Sequence, residues 1–188
     1  MSQSELLIKA VTALNALKIP YMVTGSWAAS FMGHIRSTHD IDIVLSLPIG
    51  LVKKLVATFP EPEFMVQEEV ARDAVLKKRM FTVMECATGD KLDFWMLKDD
   101  DFNRELFARR TPIAFNGEQV FTATPEDVIL SKLKWAIDSG GSEKQYTDAL
   151  RVYEFQKDEL NESYLIAQAR KLGLIQLLDR IKKDARPL

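Results

Sequence analysis

Asp40 and Asp42 stand in an otherwise apolar run, "HDIDIVL", although buried carboxylates are costly unless something positive sits beside them. Along a strand alternate side chains point the same way, so the two acids share one face and Ile41 and Ile43 the other. Their β-carbons are then roughly 6.5–7 Å apart. Carboxylates so spaced suit a pair of divalent cations about 3.5–4 Å apart, the arrangement used in phosphoryl displacement. Mg2+ fits such a site because it takes oxygen ligands and keeps waters and substrate phosphates in its shell. A third acid, Asp93 in "KLDFWML", lies between Leu92 and Phe94 in another apolar run. If its strand neighbours the Asp40 strand, Asp93 joins the cluster, binds the catalytic metal and accepts the proton of an attacking hydroxyl.

Gly25-Ser26 supplies the expected phosphate cradle. Glycine lets a backbone approach a ligand, and Ser26 opens a helix whose free N–H groups favour an anion. Arg36 and Thr38, in "HIRSTHD", precede the carboxylates and are placed to reach a triphosphate. Each piece has a plainer reading. A Gly-Ser turn is ordinarily just a turn, D-x-D in a strand is more often a solvated sheet face, and Asp93 alone would be a hairpin acid. The apolar flanks Ile41, Ile43, Val44 and Leu45, and the joint order of the motifs, favour the chemical reading. His34 and His39 read better as neutral loop residues, and Trp27 as core rather than a base-stacking platform. Lys98 to Asp101, "KDDD", reads as a helix cap. Lys77, Lys78, Arg79, Arg104, Arg109 and Arg110 form either a basic edge for RNA or solvated helix faces.

The elements that must position these residues follow from periodicity. Apolar residues at helical spacing predict a helix over 4–17, ended by Pro20 before a short buried strand, 21–23. A short helix over 27–32 and a strand over 41–45 follow. A helix is expected over 51–59, closed by Pro60 and Pro62, and another over 68–78. Strands at 79–87 and 91–97 flank the turn "TGD". A short helix after Asp100 precedes a hairpin, 112–115 and 119–122, around Asn116-Gly117. From Thr124 helices dominate: Thr124 as N-cap with Pro125 at the first position, a break at Gly140-Gly141, and Ser142 to Gln145 in capping-box form. Helices are expected at about 142–157, 161–172 and 174–184. The chain therefore reads as α+β: residues 1–122 a mixed-sheet core flanked by helices, residues 123–188 a C-terminal helical bundle.

The 188 residues suffice for one cored domain with a helical appendage. With 25 basic and 27 acidic residues the formal charge is −2, which gives no reason to expect non-specific nucleic-acid binding. One cysteine, Cys86, excludes an intramolecular disulfide, and two histidines make a structural zinc site a poor expectation. No apolar run nears the ~20 residues that span a bilayer. The first residues lack the pattern of a signal peptide. A cytoplasmic protein is expected.

"TGSWAASFMGHIRSTHDIDIVL" and the later third acid resemble the nucleotidyltransferase superfamily, whose palm-like fold is shared with DNA polymerase beta. The same stretch, with "TGDKLDFWMLKDDDFNRELFARR" and "TPEDVILSKLKWAIDSGGSEKQYTDALRVYEFQKDEL", is similar to bacterial AbiEii-type toxin nucleotidyltransferases and their small relatives. The resemblance covers roughly residues 20–180. It implies a mixed sheet flanked by helices, Mg2+ dependence, and transfer of a nucleoside monophosphate from an NTP with release of pyrophosphate. It puts Gly25 and Ser26 on the phosphate-binding turn and Asp40, Asp42 and Asp93 on the metal-binding acids. Lys132 falls on the lysine that faces the nucleotide, and Asp148 on the last acid of an Arg-Asp-x-x-Asp-like stretch. Here "EKQYTD" has Lys144 and Gln145 in place of the Arg-Asp pair, a departure from the toxin pattern. The acceptor implied is tRNA, a protein or a small molecule, with an antitoxin partner in the toxin case. The alternatives are an aminoglycoside- or lincosamide-like antibiotic nucleotidyltransferase, or a catalytically inert nucleotide-binding or antitoxin-like module.

Overall fold

The computed structural model describes residues 1–33 and 39–186. The chain forms two compact units: Met1–Thr24 with Ser37–Thr122, and Gly25–Arg36 with Ala123–Leu188. The second unit thus takes in a segment that chain order places among the first 122 residues.

The first unit is built on a seven-stranded sheet. Its strands are β1 (Tyr21–Val23), β2 (Asp40–Leu45), β3 (Phe64–Met65), β4 (Met80–Glu85), β5 (Lys91–Met96), β6 (Thr111–Phe115) and β7 (Glu118–Thr122). They lie in the order β3-β4-β5-β2-β1-β7-β6. β2 runs parallel to β5 and β1 parallel to β7; the other neighbours are antiparallel. Helices α1 (Gln3–Ala16), α3 (Val52–Val56), α4 (Glu68–Leu76) and α5 (Asp101–Arg109) accompany it.

Burial alternates along β2 and β5. Ile41, Ile43 and Leu45, with Leu92, Phe94 and Met96, are buried, while the residues between them are half-buried. Phe59, Phe64, Phe81 and Phe94 continue this core as a chain of tilted and edge-on rings. The pattern fixes the register. Slipping β2 by one residue would expose three large side chains worth about 1.5–3 kcal/mol each, and would bury two carboxylates in their place. β3 is an element that periodicity does not announce: two residues held to Glu85 and Met84 of β4.

The second unit is helical: α2 (Gly25–Phe31), α6 (Pro125–Asp138), α7 (Glu143–Gln156), α8 (Glu162–Lys171) and α9 (Ile175–Asp184). Thr124 caps α6 through its hydroxyl, which accepts from the Asp127 N–H, with Pro125 at the first turn. The capping box expected at Ser142 does not form; its side chain makes no cap hydrogen bond. The Gly140-Gly141 turn, with φ of 73° and 94°, instead sends the Ser142 N–H back to the Ala136 carbonyl at 3.1 Å. Backbone geometry there takes over the task of ending α6. Elsewhere the expected helix starts hold: Asp100, in the acidic run, caps α5 by accepting from the Asn103 N–H at 2.9 Å. Among the described residues no helix is long and apolar enough to cross a membrane.

Candidate functional site

β2 and β5 are neighbours, and their register sets Asp42 directly beside Asp93. Parallel strands lie about 4.8 Å apart, so two acids distant in sequence become adjacent in space. The register continues into β4, where Thr82 pairs with Asp93. Thr82, Asp93 and Asp42 thus form one rung across three strands, on the half-buried face opposite the core. Asp40 lies two residues along β2 on the same face, at the level of Lys91.

Each acid of the rung receives a side-chain donor. The Thr82 hydroxyl donates to Asp93 Oδ1 at 2.6 Å. The Trp95 indole Nε1–H donates to Asp42 Oδ1 at 3.0 Å, a diagonal reach from β5 to β2 of the kind cross-strand neighbours allow. The end of β1 is tied to the same place: the Thr24 N–H donates to the Asp42 carbonyl at 2.9 Å. At the start of β5, Asp90 accepts from Gln3 Nε2 at 2.9 Å and Thr88 Oγ1 at 2.9 Å and lies 3.3 Å from His39 Nδ1. Burial pushes the Asp90 pKa up, but these donors outweigh it and hold the carboxyl below its usual range. His39, the residue before Asp40, is thereby anchored to the β4–β5 turn.

The rung offers oxygen donors alone, the chemistry that Mg2+ takes. Among the described residues no group of three or more His, Cys, Asp or Glu is gathered tightly enough to cage a metal. A cage is not what Mg2+ needs. It binds through one or two carboxylates and completes its octahedron with water and substrate phosphates, so the Asp42–Asp93 pair fits the ion.

The other expected site residues belong to the second unit or lie outside the described residues. Gly25 (φ 64°) and Ser26 open α2 in the second unit, with Ser26 buried and its carbonyl accepting from the Ser30 hydroxyl at 2.9 Å. Arg36 and Thr38 lie outside the described residues, as does His34. Lys132 is not a solvated helix lysine. It is 6% exposed, and its Nζ sits 2.8 Å from Oδ2 of Asp148, itself 3% exposed. Lys132 and Asp148 are therefore partners of each other inside the helical unit. The basic residues at 77–79 and 104–110 do not stand as a uniform edge. Lys77 pairs with Asp73 and Arg104 with Asp99, while Arg110 lies over the Phe107 and Phe121 rings, where burial pulls its pKa down. Thr82 and Trp95 were not among the expected site residues. Trp95 carries a sequence signal, being two residues from Asp93 and so on its face; Thr82 becomes visible only through the β4–β5 register.

No protein-family model and no curated protein matches the sequence. Solved structures do resemble it. An antigenic nucleotidyltransferase-like protein from Paracoccidioides brasiliensis superposes with a TM-score of 0.58 over 100% of this chain and 96% of its own, at 20% identity. ANT(2")-Ia in complex with adenylyl-2"-tobramycin gives 0.56 over 97% and 99%, at 16% identity. The lincosamide antibiotic adenylyltransferase LnuA, bound to lincomycin, gives 0.55 over 82% and 98%, at 11% identity. At these identities the likeness is one of fold: this chain has the fold of nucleotidyltransferases.

Proposed function

We propose that this fold carries the corresponding chemistry, transfer of a nucleoside monophosphate from an NTP to a hydroxyl acceptor in the cytoplasm. The observation that supports it most is the Thr82–Asp93–Asp42 rung, with Asp40 on the same face. Adjacent carboxylates on one face repel, and a chain keeps them together where a cation is to be held. Asp40 and Asp42 would hold two Mg2+ ions, and Asp93 would hold one of them and take the proton of the attacking hydroxyl. Bound Mg2+ would supply neutralisation of the phosphate charge that builds during in-line displacement. The side chains themselves do little covalent work; they place groups and balance charge. Gly25 and Ser26 are assigned to the β- and γ-phosphates, and Arg36, Thr38 and Lys132 to the nucleotide, each on sequence grounds.

The acceptor separates two readings. The segments similar to AbiEii-type toxins support tRNA or protein, with an antitoxin partner. The neighbours bound to adenylyl-tobramycin and to lincomycin support a small antibiotic-like molecule. Incubation with each α-labelled NTP and Mg2+, once with cell extract and once with aminoglycosides and lincosamides, tests both. Label appearing in a macromolecule or an antibiotic, absent with Asp42→Asn, is the expected result. Absence of label in every fraction would overturn the enzymatic reading. Titration calorimetry with each NTP then identifies an inert module, whose binding would ignore Mg2+ and survive Asp42→Asn.

A further inference from the structure

We propose that Thr82 and Trp95 are positioning residues of the acid pair: their N–H and O–H donors set the planes of Asp93 and Asp42 so that a divalent cation meets oriented oxygens. The inference rests on the nucleotidyltransferase reading and adds to it two residues outside its acids and phosphate turn.

A carboxylate on a strand rotates about two bonds and, beside a like charge, turns away from it. Here each acid has Oδ1 tied down, Asp93 by Thr82 at 2.6 Å and Asp42 by Trp95 at 3.0 Å. A hydrogen bond to Oδ1 restricts the rotation of each carboxylate and so its plane. The Thr82 hydroxyl also lies 3.3 Å from Met80 Sδ. It has a single proton, and the charged oxygen is the stronger acceptor, so that proton goes to Asp93. The two donors come from different strands. Thr82 comes from β4, beyond Asp93, and Trp95 comes from two residues along β5. Partners that orient metal-binding side chains typically change metal affinity by about 10–100-fold when removed.

The test is Mn2+ binding to the whole chain, read by electron paramagnetic resonance of the free ion, without turnover. Thr82→Val and Trp95→Phe should each weaken Mn2+ binding by about tenfold. Thr82→Ser, which keeps the hydroxyl, should stay within about twofold of wild type, as a purely packing role for the methyl group would not predict. Asp42→Asn should remove binding. Trp95→Phe keeps a ring and loses the N–H, so it carries the test if Thr82→Val does not fold. Wild-type affinity in Thr82→Val and Trp95→Phe, with Asp42→Asn inactive in binding, would overturn the inference and leave the enzymatic reading standing. No Mn2+ binding by the wild type would also overturn it, and the labelled-NTP assay then decides separately whether nucleotidyl transfer itself survives.

Discussion

Asp42 stands beside Asp93 on neighbouring parallel strands, and each acid accepts a hydrogen bond at Oδ1 from a different donor. Because the pair sits on the half-buried face and not in the core, its removal should be felt in chemistry far more than in folding. Asp42→Asn and Asp93→Asn keep size and an acceptor oxygen. Each is expected to cut nucleotidyl transfer by on the order of 10²–10³-fold, as loss of a charge-stabilising group does, with the melting temperature nearly unchanged. EDTA should abolish transfer, and Mg2+ or Mn2+ should restore it. Kinetics with labelled NTP beside thermal melts make the measurement.

The Lys132–Asp148 pair predicts the opposite balance. Both charges are buried, so removing Lys132 leaves the Asp148 carboxylate desolvated without its ammonium partner. Lys132→Met should destabilise the protein by about 3–5 kcal/mol, whereas Lys132→Met with Asp148→Leu should recover most of that loss. Chemical denaturation reads the energies. If the double variant is stable yet inactive, Lys132 also serves the nucleotide; if it is stable and active, its part is structural.

Gly33 follows α2 with φ of +100°, and a Cβ built there would lie 2.8 Å from Phe155 Cδ1. Two costs are therefore mixed in Gly33→Ala: a left-handed backbone, about 1–2 kcal/mol, and a clash with a ring. Phe155 is 46% exposed and can swing aside, so the backbone term should dominate. Gly33→Ala should lower stability by about 1–2 kcal/mol, and adding Phe155→Ala should recover less than half of it in urea melts.

Alkaline pH should loosen the helical unit through two tyrosines. Burial, then the hydrogen bond and charge of Asp184, push the Tyr146 hydroxyl from 10.0 up to about 12. Burial, then Glu162, push Tyr153 equally to about 12. A folded-state value above the unfolded one stabilises fully below the unfolded value and is lost as pH rises through the folded one. Stability should therefore hold to about pH 10 and fall between pH 10 and 12. Tyr146→Phe and Tyr153→Phe should flatten that slope in pH-dependent thermal melts.

Much of this protein can be read along the chain because its signals are local. Alternation in "DIDIVL" and "KLDFWM" makes strands with an acidic face, and Thr124-Pro125 and Asp100 mark helix starts, because a cap or a strand face involves residues only a few positions apart. β3 escapes such reading because two residues carry no period, and Ser142 misleads because the Gly140-Gly141 backbone, not its hydroxyl, closes the turn. The burial of Lys132 and Asp148 escapes such reading because a helical repeat does not say how deep a side chain lies.

By itself the sequence determined which residues could do phosphoryl chemistry and which strand face they share, since side-chain direction alternates with the covalent chain. Only the tertiary structure decided that β5 lies beside β2 in the register that couples Asp42 to Asp93, that Thr82 and Trp95 supply their donors, and that Lys132 faces Asp148. Strand pairing and burial are long-range choices. They are settled by which packing of the whole chain hides the most apolar surface while leaving the fewest charges unanswered.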